Sequence, residues 1–422
     1  MHHFAYRNGT LYAEDVDLTA LAGEVQTPFY VYSTATLERH YMVLEEAFKG
    51  LDHMICYSAK ANSNIAVLKT LGAKGAGVDI VSLGELLRAQ AAGIPGERIV
   101  FSGVGKTRDE MTAALNAGIY CFNVESQAEL EALSSVATEM NMTAPVALRI
   151  NPDVDAKTHH KISTGRAEDK FGIPWGDASL LYAQAATLPG IQVTGIDMHI
   201  GSQITQLGPY EQAFAKLGKL VSTLRAEGHE ITHVDLGGGL GIPYNNDDEL
   251  PPHPEEYANT IKNLVSHLEC KILIEPGRMI AGNAGILVTK VLYVKPGDTK
   301  SFLIVDAAMN DLARPTLYDA HHEIMPVTEQ AETADKITAD IVGPICETGD
   351  FLAKNRQVPE LAQGEMIAIM SAGAYGAVLS NTYNSRLLVP EVLVNGDQWA
   401  LIRPRQTYET MLGAEALADW QD

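Results

Sequence analysis

No apolar stretch among the 422 residues approaches the ~20 needed for a helix to cross a bilayer, which argues against a membrane-spanning helix. Basic residues are also scarce. With 31 Lys and Arg against 53 Asp and Glu, the formal charge is −22. A surface that tracks nucleic-acid phosphates needs clustered Lys and Arg, so the charge argues against a nucleic-acid partner and leaves local basic pockets for small anions open. Cysteine is sparse and scattered: Cys56, Cys121, Cys270 and Cys346 form no CxxC pair. That argues against a structural zinc knuckle and a secreted disulfide framework. The first three are expected in the core. The segment Met1-His2-His3-Phe4-Ala5-Tyr6-Arg7 lacks a charged-then-apolar signal pattern, so a cytoplasmic location is expected. There is no internal repeat and no low-complexity tract.

What is present is a long, evenly apolar chain. Its length exceeds what one hydrophobic core usually serves, and 46% apolar residues make two globular domains the expectation. Short apolar runs recur at about 53–58, 76–81, 98–102, 119–124, 144–150, 193–200, 232–236 and 271–275, each ending in a polar or glycine-rich patch. Helix-like stretches lie between them, such as Leu83 to Ala92 before Gly93, and Ala128 to Leu133 after Ser126. Repeated βα units of this kind give a parallel sheet, and eight of them fit a (β/α)8 TIM-type barrel. After Gly285 the texture changes to strand-like runs at 286–294, 301–305, 337–342 and 366–370 separated by turn signals, which reads as an all-β C-terminal domain. The run Pro28 to Tyr32 is a strand expected to join that domain. The expected division is 1–34 with the β-domain, 35–285 as the barrel and 286–422 as the β-domain.

Residues at the C-terminal ends of barrel strands face the active site. That rule collects Lys60, Asp79, Ser102, Glu125, Arg149, Asn151, His199, Ser202, the Gly237-Gly238-Gly239 turn, Glu275 and Arg278. The glycine turn presents backbone N–H groups without side chains, which suits a phosphate but equally serves a plain structural turn. A lysine near a phosphate cradle, with a carboxylate opposite, suggests pyridoxal 5'-phosphate, the amine bonding the cofactor aldehyde and the acid pairing with the pyridine nitrogen, although Lys60 taken alone reads as a surface lysine after a strand.

Six ordered motifs carry a resemblance: Tyr57-Ser-Ala-Lys-Ala-Asn62, His199-Ile-Gly-Ser-Gln203, Gly237-Gly-Gly-Leu-Gly241, Glu275-Pro-Gly-Arg278, Cys346-Glu-Thr-Gly-Asp350 and Ala374-Tyr-Gly376. Over residues 27–410 the chain resembles the diaminopimelate decarboxylase family, within the alanine-racemase-like, fold type III class of pyridoxal phosphate enzymes. The resemblance implies that Lys60 holds the cofactor aldehyde, His199 stacks on the ring, and Ser202, Gly238, Gly239 and Tyr375 hold the phosphate. Glu275 would pair with the ring nitrogen, with Asp79, Gly277 and Arg278 completing the cofactor set. Arg278, Arg314 and Tyr318 would bind substrate carboxylate, together with Tyr375; bidentate arginine suits that group. The 346–350 loop would reach the active site of a second subunit in a homodimer, with Cys346 as proton donor and Glu347 near the distal ammonium. Thr348 stands where serine is common in the family, and both offer a hydroxyl.

The activity implied is decarboxylation of meso-2,6-diaminopimelate to L-lysine, the last step of lysine biosynthesis. The alternative is a decarboxylase for another basic amino acid or polyamine precursor on the same fold: ornithine, arginine, lysine or carboxynorspermidine. A racemase is disfavoured by Glu275, and a catalytically dead binder by the presence of Lys60, Glu275 and Cys346 together. Three other signals are set aside. Ser102-Gly-Val-Gly-Lys-Thr107 falls short of a P-loop, because the first glycine of that motif would stand at Val100. His321 and His322 are adjacent and do not converge on a metal, and no metal is expected. The polar stretch 155–170, with His159-His160, reads as a lid over the substrate or as an ordinary surface loop.

Overall fold

The computed structural model describes residues 2–156, 158–162, 164–166, 168–245, 250–331 and 333–421. The chain divides into two units. One comprises Leu37–Pro243 with Asp248–Ile280, and the other Met1–Thr36, Tyr244–Asp247 and Ala281–Asp422.

In the first unit eight strands, His53–Ser58, Gly77–Ile80, Ile99–Phe101, Cys121–Val124, Ala144–Asn151, Ile191–Asp197, His233–Asp235 and Lys271–Ile274, pair in parallel with their neighbours. The last pairs with the first, closing the (β/α)8 barrel. Burial on both faces explains their near-continuous apolar character. Several of the helices between them begin on side-chain caps. Ser82 caps Leu83–Ala91, Ser126 caps Gln127–Glu139, and Thr107 caps Arg108–Asn116 in a capping box with Glu110.

Alternation along the strands decides what fills the barrel. Met54, Cys56, Val100, Cys121, Ala147 and Leu273 form one buried cluster, so these positions point inward. Side chains two residues on share the same face, which turns Ser58, Ser102, Asn123, Arg149 and Glu275 inward at the C-terminal rim. Asp79, Asp197 and Asp235 join them from the remaining strands. The barrel is therefore apolar below and polar above. Cys56 and Cys121 lie in the core as expected. Cys270 does not: it stands just before its strand, half-buried, with Arg225 Nη2 3.0 Å from its sulfur.

The second unit is built on a nine-stranded sheet. The long strand Gly285–Lys295 pairs with Ser301–Val305, Met366–Ile369 and Phe29–Ser33. The N-terminal strand Phe29–Ser33 thus does join the C-terminal sheet, and also pairs with Glu391–Asn395. A small N-terminal sheet, Phe4–Arg7 with Thr10–Ala13 and Val16–Asp17, lies outside the sequence expectation. Its Phe4, Leu11 and Val16 pack into one core with Phe29, Val31, Ile286, Val288 and Val392.

Candidate active site

The polar rim of the barrel is densely hydrogen-bonded. Lys60 Nζ lies 2.9 Å from Asp79 Oδ2, and the Ser58 hydroxyl donates to the same oxygen at 3.0 Å. Ser102 donates to Glu275 Oε1 at 3.1 Å, while the Asn123 amide reaches Ser102, Asp235 and Glu275 at 3.1, 3.2 and 3.4 Å. Arg149 binds Glu125 at 2.9 Å and has Asp197 at 3.9 Å. The structure thus brings Lys60, Asp79, Ser102, Glu125, Arg149 and Glu275 to one rim, as the strand-end rule predicts. Asn123, Asp197 and Asp235 were missed as site residues. For Asn123 the available signal was parity, since it stands two positions after the inward Cys121.

Charge is out of balance there. Asp79, Asp197, Asp235 and Glu275 face two cations, Lys60 and Arg149, and Arg149 is already paired with Glu125. The oxygens of Asp197, Asp235 and Glu275 lie within 4.8 Å of one another. Burial, then the Asp235 and Asp79 carboxylates, push Glu275 well above the usual carboxylate range. Burial and Asp197 raise Asp235 to about 8, and burial with Glu275 raises Asp197. Without a further cation in the barrel, each of these acids disfavours ionisation of the others.

His199 holds the opposite condition. Burial, then the charges of Arg149 and Lys60, lower its pKa well below the ordinary value, so the ring is neutral. The Gly238 N–H donates to its Nδ1 at 3.1 Å, which leaves the proton on Nε2 and fixes the ring plane.

The glycine turn is less open than the sequence suggests. Gly237 N–H is taken by Asp235 Oδ1 at 3.0 Å and Gly238 N–H by His199, leaving Gly239 N–H without a partner among the described residues. Glycine is nevertheless required, since a Cβ on Gly238 would overlap the Glu275 carbonyl oxygen and one on Gly239 the Gly201 carbonyl. Ser202 lies beside it, its hydroxyl 3.1 Å from Arg278 Nη2. Pro276 O accepts from Ser58 N–H, and Gly277 O from Ile280 N–H, fixing the Glu275–Arg278 turn to the first strand.

Pyridoxal phosphate fits these residues. A cationic ring nitrogen answers the surplus of buried carboxylate at Glu275. Buried Asp79 Oδ1, Asn123 Oδ1 and Asp197 Oδ1 have no partner among the described residues, so acceptors remain for a guest. Ser202, Gly239 and Arg278 offer donors for a phosphate, and Lys60 is an amine for an aldehyde.

The charge imbalance has a measurable consequence. A carboxyl whose folded pKa is raised stabilises the fold below its unfolded pKa of about 4, and that contribution is lost as pH rises through the folded value, about 8 for Asp235. Glu275→Gln mimics the protonated acid and keeps an oxygen for Ser102. In cofactor-free protein the melting temperature of Glu275→Gln relative to wild type should therefore climb between pH 5 and pH 8, ending at or above wild type. A difference that is flat or falls with pH would contradict the raised pKa.

The set-aside motifs have structural roles. Lys106 is buried, pairs with Glu129 at 2.7 Å and donates to the Gly103 and Asn123 carbonyls, which uses its three protons. His322 faces Arg314 and the Met370 carbonyl, whereas His321 faces Arg356 and Glu323, so the two rings diverge. Asn151 braces the carbonyls of Arg166 and Phe171. Of the 155–170 stretch, Lys157, Ser163, Ala167 and the His160 side chain lie outside the described residues. Thr158, Ile162 and Thr164 hydrogen-bond to the 199–203 segment.

The second unit carries its own group. Arg314 is buried at the start of the turn Arg314–Tyr318, with half-buried Tyr318 one helical turn on. Tyr375 is half-buried with φ 55°, a conformation that costs a non-glycine residue energy and clusters at functional sites. Cys346 and Glu347 are exposed. Their loop is nonetheless pinned: Cys346 N–H donates to Asn384 Oδ1 at 2.9 Å, Asp350 accepts from Ile345 and Met309 N–H, and Thr316 donates to the Gly349 carbonyl. A hydrogen bond with Glu347 raises the Tyr383 hydroxyl pKa.

Residues 34–282 match the family described as pyridoxal-dependent decarboxylase, pyridoxal binding domain. A diaminopimelate decarboxylase of Haemophilus influenzae is 48% identical, covering 99% of this chain and 100% of the relative. One from Vibrio cholerae is 49% identical, with 99% of each covered. The crystal structure of diaminopimelate decarboxylase from Helicobacter pylori complexed with L-lysine superposes with a TM-score of 0.90 at 39% identity, over 94% of this chain and 99% of that one.

Proposed function

The chain belongs to the diaminopimelate decarboxylase family of pyridoxal-dependent decarboxylases, and from that membership we propose a reading of its site residue by residue. The reaction is the decarboxylation of meso-2,6-diaminopimelate to L-lysine and carbon dioxide, the closing step of lysine biosynthesis. Pyridoxal phosphate, when bound, draws electrons from the carbon that loses its carboxylate. Lys60 holds the cofactor aldehyde, and Asp79 at 2.9 Å positions its amine. Glu275 holds the ring nitrogen, oriented by Ser102 and Asn123. His199 presents a neutral ring face, and Ser202, Gly238, Gly239, Gly277, Arg278 and Tyr375 surround the phosphate. Gly238 acts there by close approach and through His199, since its own N–H is engaged.

Arg278, Arg314 and Tyr318 bind substrate carboxylate, Tyr375 contributes to the substrate pocket, and Glu347 meets the distal ammonium. Cys346 or Lys60 returns a proton to the carbon that lost carbon dioxide. The molecule works as a cytoplasmic homodimer with shared sites and has no nucleic-acid partner. What supports the shared site is a cysteine and a glutamate that are exposed on the single chain yet fixed by a hydrogen-bonded loop. Residues 35–285 form the cofactor-binding barrel, while 1–34 and 286–422 form the β-domain. No described helix is long and apolar enough to cross a membrane.

The observation that carries this reading is the surplus of buried carboxylate around Glu275, facing a lysine amine across one barrel rim. Ornithine, lysine and arginine carry one carboxylate, the one to be lost, and leave no second anion for an arginine. Holoenzyme offered meso-diaminopimelate, L-lysine, L-ornithine and L-arginine separately should release carbon dioxide from the first with L-lysine as product. Faster release from any of the others overturns the substrate assignment.

A further inference from the structure

Arg314 and His322 are both buried, and Arg314 Nη1 lies 2.9 Å from His322 Nε2. The other ring nitrogen, Nδ1, lies 2.8 Å from the Met370 carbonyl oxygen. A carbonyl only accepts and a guanidinium only donates, so the tautomer is determined: Nδ1 carries the proton and Nε2 offers its lone pair to Arg314. The imidazole is therefore neutral in this arrangement. Its anchor is rigid, because Met370 N–H bonds the Glu323 carbonyl and the strands Ile324–Pro326 and Met366–Ile369 pair alongside. Arg356 holds the segment from the other side, through His321 Nε2 at 2.7 Å and the His322 carbonyl at 3.0 Å. Tyr244 completes the mount, its ring face 4.5 Å from the Arg314 guanidinium carbon and its edge toward the His322 ring.

We propose that His322 is a positioning residue that fixes the plane of the Arg314 guanidinium for the substrate carboxylate retained in the product. This rests on the assignment of Arg314 as a carboxylate partner. The chemistry explains the residue type. A carboxylate in the place of His322 would orient the guanidinium equally well, but it would also neutralise the charge that the substrate carboxylate needs. A neutral imidazole orients Arg314 and leaves its charge available.

The retained carboxylate is present in L-lysine and absent from 1,5-diaminopentane, so inhibition of the holoenzyme by these two molecules separates orientation of Arg314 from general damage. In His322→Phe the inhibition constant of L-lysine and the KM for diaminopimelate should rise roughly tenfold or more, with that of 1,5-diaminopentane and the cofactor absorbance unchanged. His322→Gln, whose side-chain oxygen can reach Arg314, should restore most of the L-lysine affinity. If His322→Phe does not fold, His322→Asn, too short to reach Arg314, takes its place against Gln. Unchanged L-lysine inhibition, equal weakening of both inhibitors, or no rescue by Gln overturns the proposal. Arg314→Lys is measured in parallel. If it also leaves L-lysine inhibition unchanged, the carboxylate assignment of Arg314 itself fails; if it weakens L-lysine while the His322 variants do not, only the positioning role fails.

Discussion

Replacing Lys60 by Ala is expected to lower turnover of diaminopimelate by a thousandfold or more, on the order seen when a member of a concerted catalytic group is removed. Two effects coincide in that variant. The amine that holds the cofactor is lost, and Asp79, fully buried, loses its cation and keeps the Ser58 hydroxyl on that oxygen. Lys60→Arg separates them. Its guanidinium can still answer Asp79 but cannot bond an aldehyde, so activity should fall as far as in Lys60→Ala while thermal stability of the cofactor-free protein stays closer to wild type. Substantial turnover in Lys60→Arg, measured as carbon dioxide release, would show that the amine at this position is dispensable.

The second large effect concerns assembly. Lys60→Ala and Cys346→Ala proteins are each expected to be nearly inactive, and a mixture of equal amounts should regain activity on subunit exchange. In a dimer that shares its sites, a mixed pair holds one site with both lesions and one with neither. Random exchange makes half the dimers mixed, so recovery should approach about a quarter of wild type and not exceed it. Absence of recovery, once exchange has been shown by mass spectrometry of labelled subunits, would place Cys346 in the site of its own chain or outside catalysis.

Much of the barrel was legible because its strands are buried on both faces, which writes them as apolar runs ending abruptly in polar residues. Lys60, Asp79 and Glu275 follow from counting to the end of a run. Asn123 required one more step, the parity of inward positions, while Asp197 and Asp235 close their strands yet lie inside the apolar runs 193–200 and 232–236. The glycine turn was overread: Gly237 and Gly238 look like free amides in sequence, but Asp235 and His199 are brought to them by other strand ends. The β-domain was harder. Phe351–Pro359 contains the polar run Lys354-Asn355-Arg356-Gln357 and gives little apolar signal. Gln398–Arg403 is an edge strand exposed over most of its length. The N-terminal hairpin was missed despite Asn8-Gly9 between short alternating runs, both residues with positive φ, which is a strong short-range hairpin signal. The role proposed for His322 could not be read from sequence at all, since it depends on the Met370 carbonyl, 48 residues away.

The central claim is that the amine of Lys60, at the rim of the barrel, holds the cofactor. Holoenzyme reduced with borohydride and digested should yield one peptide carrying the added cofactor mass, with fragmentation placing that mass on Lys60. Cofactor mass on any other lysine, with Lys60 recovered unmodified in active enzyme, would contradict the account.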